Sequence, residues 1–102
     1  MEKRTAHYTL SAIQQILRER GVDCFTRSAQ CGMREMQLSP EQAIAALLVL
    51  EARHLIKSMT TYADARVWQD VYRATTPCGD AYVKFTMRDV GSVVISFKRY
   101  EQ

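Results

Sequence analysis

Leu55-Ile56-Lys57-Ser58-Met59-Thr60-Thr61-Tyr62 and Val67-Trp68-Gln69-Asp70-Val71-Tyr72-Arg73 change character at alternate residues. A period of two marks strands with one buried and one wet face. Ala81 to Arg88 and Val93 to Arg99 follow, both rich in β-branched and aromatic residues. The separators are turn-like: Ala63-Asp64-Ala65, Thr76-Pro77-Cys78-Gly79-Asp80 and Asp89-Val90-Gly91. Connections this short join antiparallel neighbours and leave no room for crossover helices.

Upstream of this meander the period is helical. Leu10, Ile13, Ile16 and Leu17 predict a first helix from about Leu10 to Glu19, capped by Thr9 or Ser11 and ended by Gly21. Gln14, Gln15, Arg18 and Arg20 are expected in solvent. Thr26 to Met36 predicts a second helix, weakened by Gly32 inside it. Ser39-Pro40-Glu41-Gln42 is a capping box with Pro at the first helical position. The helix it opens carries Ala43, Ile44, Ala46, Leu47, Leu48 and Leu50, a broad apolar surface that suits a sheet. The expected fold class is α+β, with N-terminal helices packed on one face of an antiparallel sheet. No linker, repeat or biased segment divides the chain, so residues 1–102 are expected to form a single domain.

Hydrophobic residues make up 47% of the 102 and charged residues 25%, which excludes a disordered class. No apolar run approaches the roughly 18 residues of a membrane-spanning helix, and no apolar stretch backs the N-terminal charges. A cytoplasmic protein with no membrane partner is therefore expected. The net charge of +3, with a pI near 8.9, permits a nucleic-acid partner without requiring one. Cys24, Cys31 and Cys78 are odd in number and none form a C-x-x-C pair. That disfavours a disulfide framework and a zinc site, and reduced thiols are expected. His7 and His54 are too isolated to complete a ligand set by any standard spacing.

Alternation assigns the faces. In the third strand Ala81, Val83, Phe85 and Met87 form an apolar set, and Tyr82, Lys84, Thr86 and Arg88 a polar one. In the last strand Val93, Ile95 and Phe97 point inward, while Ser92, Ser96 and Lys98 point outward. In the second, Trp68 and Tyr72 share one face, and Gln69 and Arg73 the other. In the first, Lys57 goes with Met59 and Thr61. A consistent sheet holds Lys57, Gln69, Arg73, Tyr82 and Lys98 on one open surface. Wet faces of antiparallel sheets carry such residues without any function. The functional alternative is an RNA surface, where cations meet phosphates and flat side chains stack on unpaired bases. Composition does not separate the two.

The runs Lys57-Ser58-Met59-Thr60-Thr61-Tyr62 and Trp68-Gln69-Asp70-Val71-Tyr72-Arg73 resemble the MqsR family of bacterial toxins from type II toxin–antitoxin pairs. The opening Met1-Glu2-Lys3-Arg4-Thr5 with His7, and Val93-Val94-Ile95-Ser96-Phe97-Lys98, are similar to that family too, whereas the stretch from Gly21 to His54 departs from it. The resemblance implies a RelE-like α+β fold. It implies a sequence-selective, ribosome-independent mRNA endoribonuclease that prefers GC-containing sites such as GCU. It also implies a cognate MqsA-like antitoxin, itself zinc-bearing and DNA-binding. The family's catalytic Lys, Gln and Tyr fall on Lys57, Gln69 and Tyr82, all on the polar face assigned above.

The expected chemistry is metal-free and needs no cofactor. The ribose 2′-OH attacks the adjacent phosphorus, leaving a 2′,3′-cyclic phosphate and a 5′-OH end. That requires a base, an acid and positive charge on the phosphate. No carboxylate cluster suits a two-metal site. Lys57 can stabilise the phosphorane, or act as base if neighbouring cations lower its pKa. Tyr82 can carry a proton if the same cations lower a pKa that starts near 10. Gln69 can only orient. Arg73 and Lys98 are expected phosphate clamps. His7 is expected to cap or pack the first helix, His54 to be exposed, and Met59 and Trp68 to fill space. The rival functions are a non-catalytic RNA- or DNA-binding regulator on the same face, and a module that pairs through its sheet edge.

Overall fold

The structure is a computed structural model that describes residues 1–87 and 92–101. Its elements are β1 (Glu2–Lys3), α1 (Leu10–Arg20), α2 (Arg27–Glu35), α3 (Pro40–Leu48), β2 (Leu55–Thr60), β3 (Trp68–Thr76), β4 (Gly79–Phe85) and β5 (Val94–Arg99). Short 3-10 turns lie at Gly21–Cys24 and Ala52–His54. The strands stand in sequence order, and every neighbouring pair is antiparallel. This is the α+β arrangement expected. The turn at Asp89-Val90-Gly91 and the position of Arg88 lie outside the described residues.

α1 buries Ile13 and Leu17. Gly21 ends it at φ 58°, a conformation that costs glycine nothing, and returns its N–H to the Leu17 carbonyl. Thr9 occupies the N-cap position without a side-chain capping bond. Gln14 does not point to solvent as expected. Its Nε2 donates to the carbonyls of Leu47, Leu48 and Leu50 at 3.1, 3.2 and 3.0 Å. Carbonyls at a helix end lack intrahelical partners, so a glutamine of α1 satisfies those at the end of α3. The start of α3 matches its sequence signal. Ser39 Oγ accepts from the Gln42 N–H, and Gln42 Oε1 accepts from the Ser39 N–H.

α2 covers the outer edge of the sheet. The Val93 N–H donates to the Cys24 carbonyl at 2.7 Å and the Thr26 N–H to the Val94 carbonyl at 2.9 Å. Thr26 Oγ1 accepts from the Ala29 N–H and donates to the Ile95 carbonyl at 3.0 Å. A Cβ on Gly32 would stand 1.7 Å from the Phe97 carbonyl oxygen. The glycine that weakens the helix pattern is thus what seats the helix on β5. Strand edges left open invite pairing with other chains, and this one is closed.

On the inner face Tyr72, Val83, Phe85 and Phe97 meet Ile13, Leu17, Ala43 and Leu47 in one buried cluster. Asp70 is fully buried beside them. Its carboxylate accepts from Ser58 Oγ at 2.6 Å and from the backbone N–H groups of His7 and Tyr8 at 3.0 and 2.8 Å. Those bonds satisfy the buried group and tie the N-terminal segment to the middle of the sheet. The His7 ring stacks on Trp68 at 5.2 Å, a packing role. His54 is half-buried rather than exposed, and its Nδ1 accepts from the Glu51 N–H at 2.8 Å.

A bulge corrects the alternation in β5. Lys84 pairs with Ser96 but Phe85 pairs with Val94, so Ile95 is an extra residue. Val94 takes the core position assigned to Ile95, which is only half-buried. Thr86, assigned to the polar face, is buried, and its Oγ1 donates to the Trp68 carbonyl at 2.9 Å. The β3–β4 turn is also tighter than its sequence signal, because Thr76 pairs with Gly79.

Candidate active site

Directly paired residues of an antiparallel ladder project to the same side. The register therefore arranges the outer face in rows. Glu2, Met59 and Gln69 form the first; Lys57, Val71, Lys84 and Ser96 the second; Arg73, Tyr82 and Lys98 the third. Rows lie two residues apart along each strand, about 7 Å. Lys57, Gln69, Arg73, Tyr82 and Lys98, the five residues picked from the sequence, all fall within these rows.

Val71 stands in the centre of this face, outside the helix-covered core, yet it is fully buried. Flanked in the ladder by Lys57 and Lys84, it is shielded by long aliphatic stems, which leave the charged heads at the surface. Four cations then stand in these rows, and they divide into two kinds. Lys57 Nζ pairs with Glu2 Oε1 at 3.0 Å, and Arg73 Nε with Asp80 Oδ2 at 2.7 Å. The Arg73 guanidinium also lies 4.2 Å from the centre of the Tyr100 ring. Lys84 and Lys98 have no carboxylate partner among the described residues. Their ammonium groups lie 5.8 and 5.4 Å from the centre of the Tyr82 ring. Tyr82 is thus bracketed by two positive charges.

The same division governs proton affinity. The hydrogen bond it donates to Glu2 holds Lys57 above the ordinary lysine range. The condition under which Lys57 would act as base, a lowered pKa, is therefore not met. Lys84 is displaced the other way, first by burial and then by the charges of Lys98 and Lys57. Lys57 holds the Glu2 carboxyl below the usual carboxylate range.

Two residues join the site that sequence reasoning left out. Lys84 was assigned to the polar set but not gathered with the others, although it alternates with Val83 and Phe85, one period from Tyr82. Glu2 was missed because a two-residue strand has no period to read.

Several hollows border the rows, and two bear on the site. One lies at Tyr82 and Lys98, with Glu35, Arg99 and Glu101 around it. The other adjoins Gln69 and is lined by uncharged groups, including Thr61, Val67, Ser92 and Ile95. Among the described residues, no three His, Cys, Asp or Glu side chains are grouped to hold a metal ion. The cysteines are unpaired, and burial pushes the Cys24 thiol up. No helix among the described residues is long and apolar enough to cross a membrane. Chemically, the face can hold a polyanion across two rows of cations, orient it with an amide and exchange protons at a phenol, an amine or a carboxylate.

Residues 5–99 match the family model described as motility quorum-sensing regulator, toxin of MqsA. The mRNA interferase toxin MqsR of Escherichia coli (strain K12) is 38% identical to the chain over 99 residues. That alignment covers 96% of this chain and 98% of the relative.

Proposed function

The chain belongs to the MqsR toxin family, and on that premise we propose that it is an endoribonuclease toxin cutting single-stranded mRNA without the ribosome. The observation that carries this is Tyr82 between the ammoniums of Lys84 and Lys98, one row from Lys57 and two from Gln69. A backbone phosphate over the second row would meet Lys57 and Lys84. The next phosphate would meet Arg73 and Lys98, about one row further on. Both rows put positive charge where the phosphorane gains negative charge, which is the main requirement of the reaction.

The 2′-oxygen attacks phosphorus as the bond to the 5′-oxygen breaks. The products are a 2′,3′-cyclic phosphate and a 5′-OH end. Tyr82 protonates the leaving oxygen, and Gln69 fixes the nucleotide by hydrogen bonds. The uncharged hollow beside Gln69 suits a base and not a phosphate, so it supports selection of GC-containing sites such as GCU. The inhibitory partner is an antitoxin of the MqsA type, zinc-bearing and DNA-binding, and the toxin acts in the cytoplasm, where mRNA is translated.

The test is incubation of purified protein with a long defined RNA, in EDTA and without ribosomes, followed by mapping of the 5′ ends. Discrete cuts at one short motif are expected, absent with Tyr82→Phe and with Lys57→Ala. RNA left intact by a folded protein would overturn the proposal. RNA bound but uncut would favour a binding regulator on the same face.

A further inference from the structure

We propose that the Glu2 carboxylate is the general base that takes the 2′-hydroxyl proton; this rests on the endoribonuclease function just proposed. The attack needs a proton acceptor present at neutral pH. Lysine and tyrosine side chains are mostly protonated there, and an amide accepts no proton. Glu2 is a carboxylate in the first row, with Met59 between it and Gln69. Its Oε1 sits 3.0 Å from Lys57 Nζ. A phosphate drawn to Lys57 therefore brings its ribose to the Glu2 carboxylate. Of the other carboxylates near these rows, Asp80 is held against Arg73 one row beyond Tyr82, on the far side from Gln69, and Glu35 and Glu101 line the hollow at Tyr82 and Lys98 rather than the Lys57 end.

The position of Glu2 is fixed by backbone. The Thr60 N–H donates to the Met1 carbonyl at 2.9 Å, and Glu2 pairs with Met59. The carboxylate remains largely open to solvent, with its side chain 57% exposed. Exposed ion pairs add little to stability, so this one leaves Glu2 free to serve the reaction. The neighbouring cations keep the carboxyl ionised at neutral pH. In the step itself, Glu2 accepts the proton as the 2′-oxygen bonds to phosphorus. The 5′-oxygen leaves with a proton from Tyr82. Glu2 then carries one proton more and Tyr82 one fewer, and exchange with water resets both.

The experiment compares wild type with Glu2→Gln in single-turnover cleavage of a short RNA containing one cut site. Affinity is measured in parallel on the same strand with 2′-deoxyribose at that site, which binds but is not cut. Glu2→Gln should slow cleavage about 10²- to 10⁴-fold, the usual range for a lost general base. Affinity for the deoxy strand should hold or tighten, because a negative charge beside the phosphate is gone. An unchanged rate would make Glu2 a solvated partner of Lys57 and overturn the inference. A faster rate would also overturn it, by making Glu2 a competitor of phosphate for Lys57. A wild type that cuts nothing would sink the endoribonuclease function itself. A wild type that cuts, beside an equally active Glu2→Gln, would sink only the role of Glu2.

Discussion

Replacing Lys84 with methionine should raise stability and lower cleavage in the same molecule. Lys84 is half-buried, and its ammonium lacks a carboxylate partner among the described residues and feels both Lys98 and Lys57. Methionine keeps a stem of similar length, so the shielding of Val71 survives while the charge goes. The stability gain should be modest, at most about 1 kcal/mol, the scale of exposed charge interactions. For a domain of this size that is a rise in Tm of about 4–8 °C. Its pH dependence has a definite sign. The folded pKa of Lys84 lies below its unfolded value, so the penalty of the charged form is fully present at neutral pH. It disappears as pH rises through the folded pKa toward the ordinary lysine value, and the advantage of the variant should fade with it. Cleavage should move the other way. A unit charge about 4 Å from a second one, at an effective dielectric constant of 20, is worth about 4 kcal/mol. Only the charge gained on going to the transition state counts toward rate. An effect of about 2–4 kcal/mol, or roughly 30- to 10³-fold, follows. Thermal melts at pH 7 and 10, with single-turnover cleavage of one RNA, measure both quantities. A variant that cuts at the wild-type rate, or is less stable than wild type at pH 7, would refute the reasoning.

Tyr82→Phe should leave affinity for an uncleavable 2′-deoxy-substituted strand within about threefold and slow cleavage about 10²- to 10⁴-fold; equal losses of both would make Tyr82 a binding residue only. Salt dependence should be shallow for a face with four cations. Lys57 and Arg73 exchange a carboxylate for a phosphate and release no counterion, so Lys84 and Lys98 alone set a slope of log affinity on log salt near −1.4, at about −0.7 per contact. A slope near −2.8, read by fluorescence anisotropy, would mean that both ion pairs are open in solution. Gly32→Ala should destabilise the fold despite the gain of roughly 1 kcal/mol in helix propensity. The new Cβ would lie 1.7 Å from the Phe97 carbonyl oxygen, so α2 must lift off β5. A net loss of about 1–3 kcal/mol in urea denaturation is expected, and an unchanged midpoint would count against that contact.

Where the hydrophobic pattern was long enough to repeat, the fold could be read from it. The capping box at Ser39, the stripe of Ile13 and Leu17, and the alternation from Trp68 to Arg73 each led to the element that forms. What escaped depends on contacts remote in sequence. Gln14 looks like any solvated glutamine until α3 brings its terminal carbonyls within 3.2 Å. Gly32 looks like a defect in a helix until β5 lies against it. The bulge at Ile95 cannot be seen in a strand alone, because the register of β4 against β5 creates it.

The site shows the same limit in sharper form. Alternation put Lys57 and Lys84 on one face, but it could not tell them apart. Their proton affinities move in opposite directions because Lys57 hydrogen-bonds a carboxylate 55 residues away, whereas Lys84 is displaced first by burial and then by the charges of Lys98 and Lys57. That partner depends on a register. Glu2 faces outward because it pairs with Met59, while Lys3 pairs with Ser58 and turns to the other face, 4.3 Å above the Trp68 ring. A slip of one residue would exchange their faces. It would place Lys3 beside Lys57 and replace an attraction with a repulsion. Opposing the slip is the grip of Asp70 on the N–H groups of His7 and Tyr8 just downstream. A buried carboxylate on the inner face, taking no part in the proposed chemistry, thereby helps to keep Lys57 on the outer face paired with Glu2.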